Sequence, residues 1–180
     1  MSVQPREAKV FAALVVSMTV GTMVLMALGN NPPSAGAFCL SNYYHLEPID
    51  EVIASRTVQP TDRWNRIEIC YSGTKAGNIE QLSSLNGLTN PDNINCHFVI
   101  CNGLGAADGQ IQPTERWRRQ LSIIPDRHHG SSRTIRICII SDGKTTLPTD
   151  FQTKRADALL DGLHQKYNIQ PESIYYPKGW

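Results

Sequence analysis

Five cysteines and five histidines are the residues of this 180-residue chain best suited to metal binding or nucleophilic chemistry. The cysteines are Cys39, Cys70, Cys96, Cys101 and Cys138. None of them shows C-x-x-C spacing, so a soft-metal site that combines Cys70, Cys96 and a histidine is disfavoured. A nucleophilic cysteine also needs a base within hydrogen-bonding reach. His97 is expected to point to the opposite face of its strand from Cys96, which makes it a poor base for that thiol.

A second candidate is the charged run Glu-Arg-Trp-Arg-Arg at residues 115–119. Trp117 is able to stack on a sugar ring there, while a neighbouring arginine pairs with a carboxylate of the same ligand. The alternative is a solvated face with one packed indole, and the sequence leaves both open. The glycine-rich segment 102–109 lacks a following Lys-Ser/Thr or helix start, so it is interpreted as a plain loop.

Four histidines are interpreted as structural or surface residues rather than as ligands. His97 is expected to be a hydrogen-bonded strand histidine, and His164 a surface residue on the polar side of a long helix. His128 and His129 fall in a loop, where solvent exposure is the simplest expectation.

The elements that must position these residues can be predicted from hydrophobic periodicity. Strands are expected over residues 66–70, 95–101 and 134–141, with a short one at 110–112. Asn78 is predicted to cap a helix to Leu85. Thr149 and Gln152 form a capping box for a longer helix that ends near residue 168. Strands alternating with helices predict an α/β fold around one sheet.

The amino-terminal region predicts a membrane anchor. Residues 10–28 contain no charge over nineteen positions, and such a helix spans roughly 28 Å. Arg6 and Lys9 precede it, which places the amino terminus in the cytoplasm and the rest of the chain outside the cytoplasmic membrane, on the periplasmic side. The rival interpretation is a signal peptide cleaved at the Ala-Gly-Ala of residues 35–37. The length of the apolar run favours an uncleaved, single-pass anchor.

Composition divides the chain into a stub and anchor at residues 1–29, a linker at 30–62 and a domain at 63–180. The linker is expected to hold at most one short helix, near residues 48–55. The formal net charge is +1, and fifteen basic and fifteen acidic side chains remain after residue 30. A domain without excess positive charge is poorly suited to nucleic acid, so that partner is excluded.

Five segments, taken in order, resemble the type-2 N-acetylmuramoyl-L-alanine amidases, which share their fold with the peptidoglycan recognition proteins. The segments are WNRIEICYSGT (64–74), NCHFVICNG (95–103), DGQIQ with ERW (108–117), TIRICIIS (134–141), and LPTDFQ with LLDGLHQKYNI (147–152 and 159–169). The resemblance implies a mixed sheet flanked by helices and a groove that takes peptidoglycan. It also implies a zinc ion that activates water against the bond between the lactyl group and L-alanine.

The residues that carry this chemistry in the family are replaced here. Cys70 stands where the pattern Ile-x-x-His-x-Ser has its first zinc ligand, although Ser72 keeps the serine. Cys96 replaces an assisting tyrosine, and Pro177 falls where a second histidine is expected, with Tyr176 and Lys178 beside it. The third ligand has no counterpart. Zinc is therefore not expected, and Cys70, Ser72, Cys96 and Trp117 are candidate substrate-binding positions.

The resemblance also places Cys70 close to Cys96. In an oxidising compartment this proximity suggests a disulfide, and the alternative is two buried thiols. Five cysteines leave at least one unpaired, and Cys39 in the linker is the natural candidate. Cys96 and Cys101 are expected on opposite faces of their strand.

Three functions remain after these observations. The leading hypothesis is a zinc-less pseudoenzyme that binds muropeptide at the membrane. The second is an active peptidoglycan amidase with an atypical Cys-containing site. The third is an envelope module that binds a protein partner.

Overall fold

The computed structural model describes residues 10, 13–20, 46–57, 60–125 and 131–180. The chain divides into two units, Met1–Ala37 and Phe38–Trp180. In the first unit residues 13–20 are helical. Among the described residues, no helix has both the length and the apolar character needed to cross a bilayer. Much of the predicted anchor, the stub, the cleavage site, linker residues 30–45, Cys39, His128 and His129 lie outside the described residues.

The second unit is an α/β domain around one mixed sheet. In chain order its helices and strands are α1 (Ile49–Val52), β1 (Arg66–Tyr71), α2 (Ile79–Leu85), β2 (Phe98–Ile100), β3 (Ile111–Pro113), α3 (Glu115–Arg118), β4 (Thr134–Ile139), α4 (Asp150–Tyr167) and β5 (Ile174–Tyr175). The sheet order is β3-β2-β4-β1-β5. β2, β4, β1 and β5 are parallel, and β3 is antiparallel to β2. The predicted mixed sheet flanked by helices is therefore confirmed.

Each face of the sheet has its own buried cluster. The isoleucines at odd positions of β1 and β4 share one face with Phe98, Trp64 and the apolar stripe of α4. The opposite face carries Cys96, Cys101 and Cys138 beneath α2. The predicted placement of Cys96 and Cys101 on opposite faces is therefore wrong, because regular β2 begins only at Phe98 and Cys96 lies before it. Both faces of β4 are buried, as its continuous apolar sequence predicts for a central parallel strand. The alternation of Ile137 and Cys138 thus decides which residues belong to each cluster.

The long helix α4 begins and packs as its sequence predicts. The Thr149 hydroxyl accepts from the backbone N–H of Gln152, and the Gln152 side chain accepts from Thr149 in return. Gly162, a poor helix former, lies where Ile49 of α1 approaches. A β-carbon at Gly162 would come within 2.8 Å of the Ile49 side chain. The glycine therefore permits close packing of the two helices at the cost of intrinsic helix propensity.

The folded domain begins earlier than the predicted boundary at residue 63. Val52 and Ile53 are 1% and 5% exposed and belong to the main core. The guanidinium of Arg155 donates to the backbone carbonyl of Glu47 at 2.7 Å. Residues 46–57 are therefore part of the domain rather than a spacer, because their apolar side chains complete the α4 face of the core.

Candidate functional site

Three cysteine side chains meet on the α2 face of the sheet. Cys70 of β1 is the registered partner of Cys138 on β4, and its thiol donates to the backbone carbonyl of Ile137 at 3.5 Å. Cys138 shares its buried cluster with Cys96, which lies two residues before the start of β2. We refer to Cys70, Cys96 and Cys138 as the thiol cluster. Cys70 and Cys96 are thus joined through Cys138 instead of pairing directly, because β4 lies between β1 and β2.

The thiol cluster favours the protonated state. The neighbouring Cys138 thiol and then burial raise the pKa of Cys70 well above its usual value. For Cys138, the Cys70 thiol lowers the pKa, but the Cys96 thiol and burial outweigh it, so the pKa of Cys138 is raised. All four cysteines of the described residues are free thiols. A thiol must lose its proton to act as a metal ligand or nucleophile, so the cluster is poorly suited to either role.

The described residues do not fit the zinc ion that the family resemblance implies. They contain no group of three or more His, Cys, Asp or Glu side chains arranged to hold a metal. Tyr175 of β5 pairs with Glu68 of β1. The pairing ends there, and Pro177 lies two residues beyond the end of β5. A proline side chain has no donor atom for a metal, so neither of the two described positions supplies a histidine.

His97 is a buried neutral histidine, as expected. Its Nδ1 accepts from the backbone N–H of Arg136 at 2.9 Å, so Nε2 carries the proton and donates to the Leu121 carbonyl at 2.9 Å. Burial lowers its pKa to about 3. Its ring lies edge-on to Trp64 and Trp117. With both nitrogens occupied, His97 is not available as a base for Cys70 or Cys96.

Trp117 belongs to the core and does not form a sugar platform. Its side chain is 0% exposed and packs against Phe98, Tyr167 and Trp64. Of the two interpretations left open by the sequence, the packed indole is the one observed. Thr114 caps α3 by accepting from the Trp117 backbone N–H, which directs this residue inward from a charged run. The buried ring therefore has no exposed face on which a sugar could stack.

The Ser72 hydroxyl is used within the protein. It lies just after β1 and accepts from the backbone N–H groups of Thr74 and Ser141, each at 3.2 Å. Its single proton has acceptors at the Ser141 carbonyl and in Thr74. One donor and two acceptor sites exhaust a hydroxyl, so Ser72 joins the carboxyl ends of β1 and β4. A substrate would have to displace one of these bonds to reach it.

Two cavities lie away from the predicted site residues. The first, of about 380 Å³, is lined mainly by polar side chains beside β3 and the start of α2: Glu47, Asn78, Ile79, Glu80, Pro91, Gln110, Ile111, Gln112, Pro113 and Arg118. We call it the amide cavity, after Asn78, Gln110 and Gln112. The second, of about 320 Å³, lies between α4 and the carboxyl-terminal segment and includes Asp157, Asp161 and His164. Sequence reasoning missed both, since their walls combine residues far apart in the chain.

Comparisons with known proteins give one distant likeness. No protein-family model matches the chain, and no curated protein matches its sequence. A similar solved structure is the complex of the N-acetylmuramyl-L-alanine amidase AmiD from E. coli with the substrate anhydro-N-acetylmuramic acid-L-Ala-D-gamma-Glu-L-Lys. The identity is 17% and the TM-score 0.36, over 67% of this chain and 50% of that one. The chain thus spans about half the length of AmiD in that structure.

Proposed function

We propose that this protein is a membrane-anchored, extracytoplasmic amidase-like domain that binds peptidoglycan muropeptide without hydrolysing it by zinc chemistry. The observation that carries the proposal is the thiol cluster at the family's first ligand position. Cys70 stands where a histidine is expected, and its protonated thiol packs against Cys138 instead of facing a metal. The anchor and the extracytoplasmic location rest on the charge pattern of residues 1–28.

The placement of the resembling segments supports an amidase-like scaffold. The five segments contribute β1, β2, β3 with α3, β4 and α4, and all of them belong to one sheet and its helical layers. The segments that resemble the family therefore form a contiguous unit of structure. The family's ligand, peptidoglycan, is carried over on this resemblance.

A binding surface for such a ligand is available at the amide cavity. A muropeptide offers hydroxyl, acetamide and carboxylate groups. The amide side chains and Arg118 present donors and acceptors of matching kinds. Arg118 supplies the positive charge among the lining residues and is bonded to Glu115 at 3.3 Å. We therefore assign Arg118 as the contact for a stem-peptide carboxylate.

The experiment compares two arginines that differ in position alone. Arg118 and Arg119 both pair with Glu115 at 3.3 Å, but only Arg118 lines the amide cavity. Loss of a charge-assisted hydrogen bond costs about 1.5–3 kcal/mol, or roughly 10- to 100-fold in affinity. Full-length protein in detergent micelles is titrated with purified muropeptides. Arg118→Gln is expected to raise Kd by that factor, and Arg119→Gln to leave it unchanged.

Turnover is tested on the same protein. Digestion of purified sacculi is followed by the appearance of free L-alanine amino ends, with added zinc and with chelator. We expect binding to sacculi and no such release. Stoichiometric zinc by elemental analysis, together with release that chelator abolishes, would reject the pseudoenzyme and favour the active amidase. Absence of muropeptide binding, together with stable co-purification of one envelope protein, would favour the interaction module.

The hydrolase with a cysteine nucleophile is less well supported. Cys70 has a raised pKa, and both nitrogens of His97 are bonded to the backbone. A cysteine nucleophile requires an activating base or a lowered pKa, and neither accompanies Cys70 among the described residues. Cys70→Ala is therefore expected to leave any wall-degrading activity of the purified protein unchanged.

A further inference from the structure

The thiol cluster carries chemistry that the proposed function does not use. Cys70 and Cys138 are registered partners on adjacent parallel strands, so their side chains project from the same face of the sheet. Neighbouring strands lie about 4.8 Å apart, which is within the 4.4–6.8 Å that a disulfide spans between α-carbons. The Cys70 thiol donates to the carbonyl of Ile137, the residue before Cys138, so it is directed toward β4, and Cys70 packs against the buried cluster that contains Cys138.

We infer that Cys70 and Cys138 form a redox-active disulfide that joins β1 to β4. The oxidant is a small-molecule disulfide such as oxidised glutathione. The inference concerns the thiols of the fold itself and does not depend on peptidoglycan binding.

Exposure decides the order of the two steps. Cys70 is partly exposed, whereas Cys138 is buried at 8% exposure. Because the pKa of Cys70 is raised, the exchange requires alkaline buffer, in which part of the Cys70 population is deprotonated. That thiolate attacks one sulfur of the small disulfide, forms a mixed disulfide and releases one small thiolate, which takes up a proton. The Cys138 thiolate then attacks the Cys70 sulfur and releases the second small thiol. The protein thereby loses two protons and two electrons, and the small disulfide becomes two thiols.

Cys96 is disfavoured as the partner of Cys138 despite their contact. The β2 residue paired with Cys138 is Val99, three residues beyond Cys96. In extended chain this offset is roughly 10 Å along the strand. Cysteines whose α-carbons lie more than about 7 Å apart require backbone movement before they can be bridged. Cys70 is itself the registered partner of Cys138, so no such offset separates the two.

A disulfide between registered strands is also expected to be labile. The geometry of the bond favours β-carbons about 3.8 Å apart, closer than side chains of adjacent strands normally lie. Strained disulfides have higher reduction potentials and are reduced more readily than relaxed structural ones. The bond should therefore form in an oxidising glutathione buffer and reopen in a reducing one, without unfolding of the domain.

Peptide mapping of the full-length protein tests the assignment directly. Trypsin places Cys70 in residues 67–75 and Cys138 in residues 137–144, while Cys96 and Cys101 share residues 76–116. After oxidation and alkylation, non-reducing mass spectrometry should show peptide 67–75 linked to peptide 137–144. Reduced glutathione should remove that link. A link from either peptide to 76–116, or no link at all, would overturn the inference.

Variants supply a control for burial. Cys138→Ala should abolish the link and leave Cys70 as a mixed disulfide with glutathione. Cys101→Ala removes a thiol that is 0% exposed in the same buried cluster, and it should leave the 67–75 to 137–144 link intact. Equal loss of the link in both variants would assign the effect to packing and reject the pairing. The wild-type map remains decisive even where a variant fails to fold.

Discussion

Acid should destabilise the domain through His97, and the size of the effect follows from its surroundings. Burial lowers the pKa of the folded histidine to about 3, against about 6.5 in an unfolded chain. Between these values the unfolded state binds a proton that the folded state does not. The stabilising contribution is therefore present above the unfolded pKa and is lost as pH falls from about 6.5 toward 3. Between pH 7 and pH 4.5 the loss is about 2.5 kcal/mol.

Urea unfolding of full-length protein at pH 7 and pH 4.5 measures this loss, and His97→Gln isolates it. Carboxylates also titrate in this range. Such groups contribute equally to both proteins. The variant is less stable at pH 7, since the Arg136 backbone N–H loses its acceptor. The gap between the two proteins should narrow by about 2.5 kcal/mol at pH 4.5. An unchanged gap, or an NMR titration of His97 with a midpoint near 6, would refute the reasoning.

Three further substitutions test the packing of the domain. Glu68 forms an ion pair with Arg136 at 3.0 Å, and both side chains are about nine-tenths buried. Glu68→Gln removes one member of this pair, so urea unfolding should show a free energy of unfolding lower by about 3–5 kcal/mol. Thr149→Ala removes the α4 cap, and thermal unfolding should show a loss of about 0.5–2 kcal/mol. Gly109→Ala places a β-carbon 2.4 Å from a phenylalanine ring, whereas Gly73→Ala, at a similar φ of +73°, meets nothing within 4 Å. Gly109→Ala should therefore lower the free energy of unfolding by about 1–3 kcal/mol more than Gly73→Ala does, and equal losses would contradict the steric argument.

The elements that the sequence predicts correctly are those whose signals are local. The capping box of Thr149 and the apolar stripe of α4 are encoded within one helix, and helix and stripe are both observed. The continuous apolar sequence of β4 predicts a strand that is buried on both faces, and this burial is observed. Asn78 caps α2 as predicted. In each case one segment contains all the information needed, because the hydrogen bonds that define it are short in sequence.

The missed elements depend on contacts between distant residues. β5 has two residues, and its strand character comes from pairing with Ile67 and Glu68 of β1. This segment has too little periodicity to be recognised alone. α1 does fall where one short helix was expected, but its packing against α4 depends on the fit of Ile49 against Gly162, more than a hundred positions along the chain. Such elements become predictable only once the sheet and α4 are in place.

The candidate site also combines features that local sequence predicts with features that depend on contacts between distant residues. Cys96 and His97 do point to opposite sides, with His97 among tryptophans and Cys96 in the thiol cluster, but both precede β2, where strand alternation does not apply. The position of Cys138 between the other two thiols depends on sheet order, which a strand sequence does not contain. The charges of residues 115–119 suggest a segment exposed to solvent. The burial of Trp117 depends instead on the Thr114 cap of α3.

Packed thiols occupy the place where the family resemblance implies a metal ligand, and the two arrangements would place different forces on this part of the sheet. A zinc ligand must reach an open groove with a free lone pair, whereas Cys70 contacts Cys138 in an apolar layer that keeps both protonated. Protonated thiols in such a layer behave as small hydrophobic side chains. Stability of this region should therefore be indifferent to chelators and responsive to thiol oxidants. Under the proposed function, any ligand is held by groups outside the layer, and the amide cavity with Arg118 is the site proposed for it.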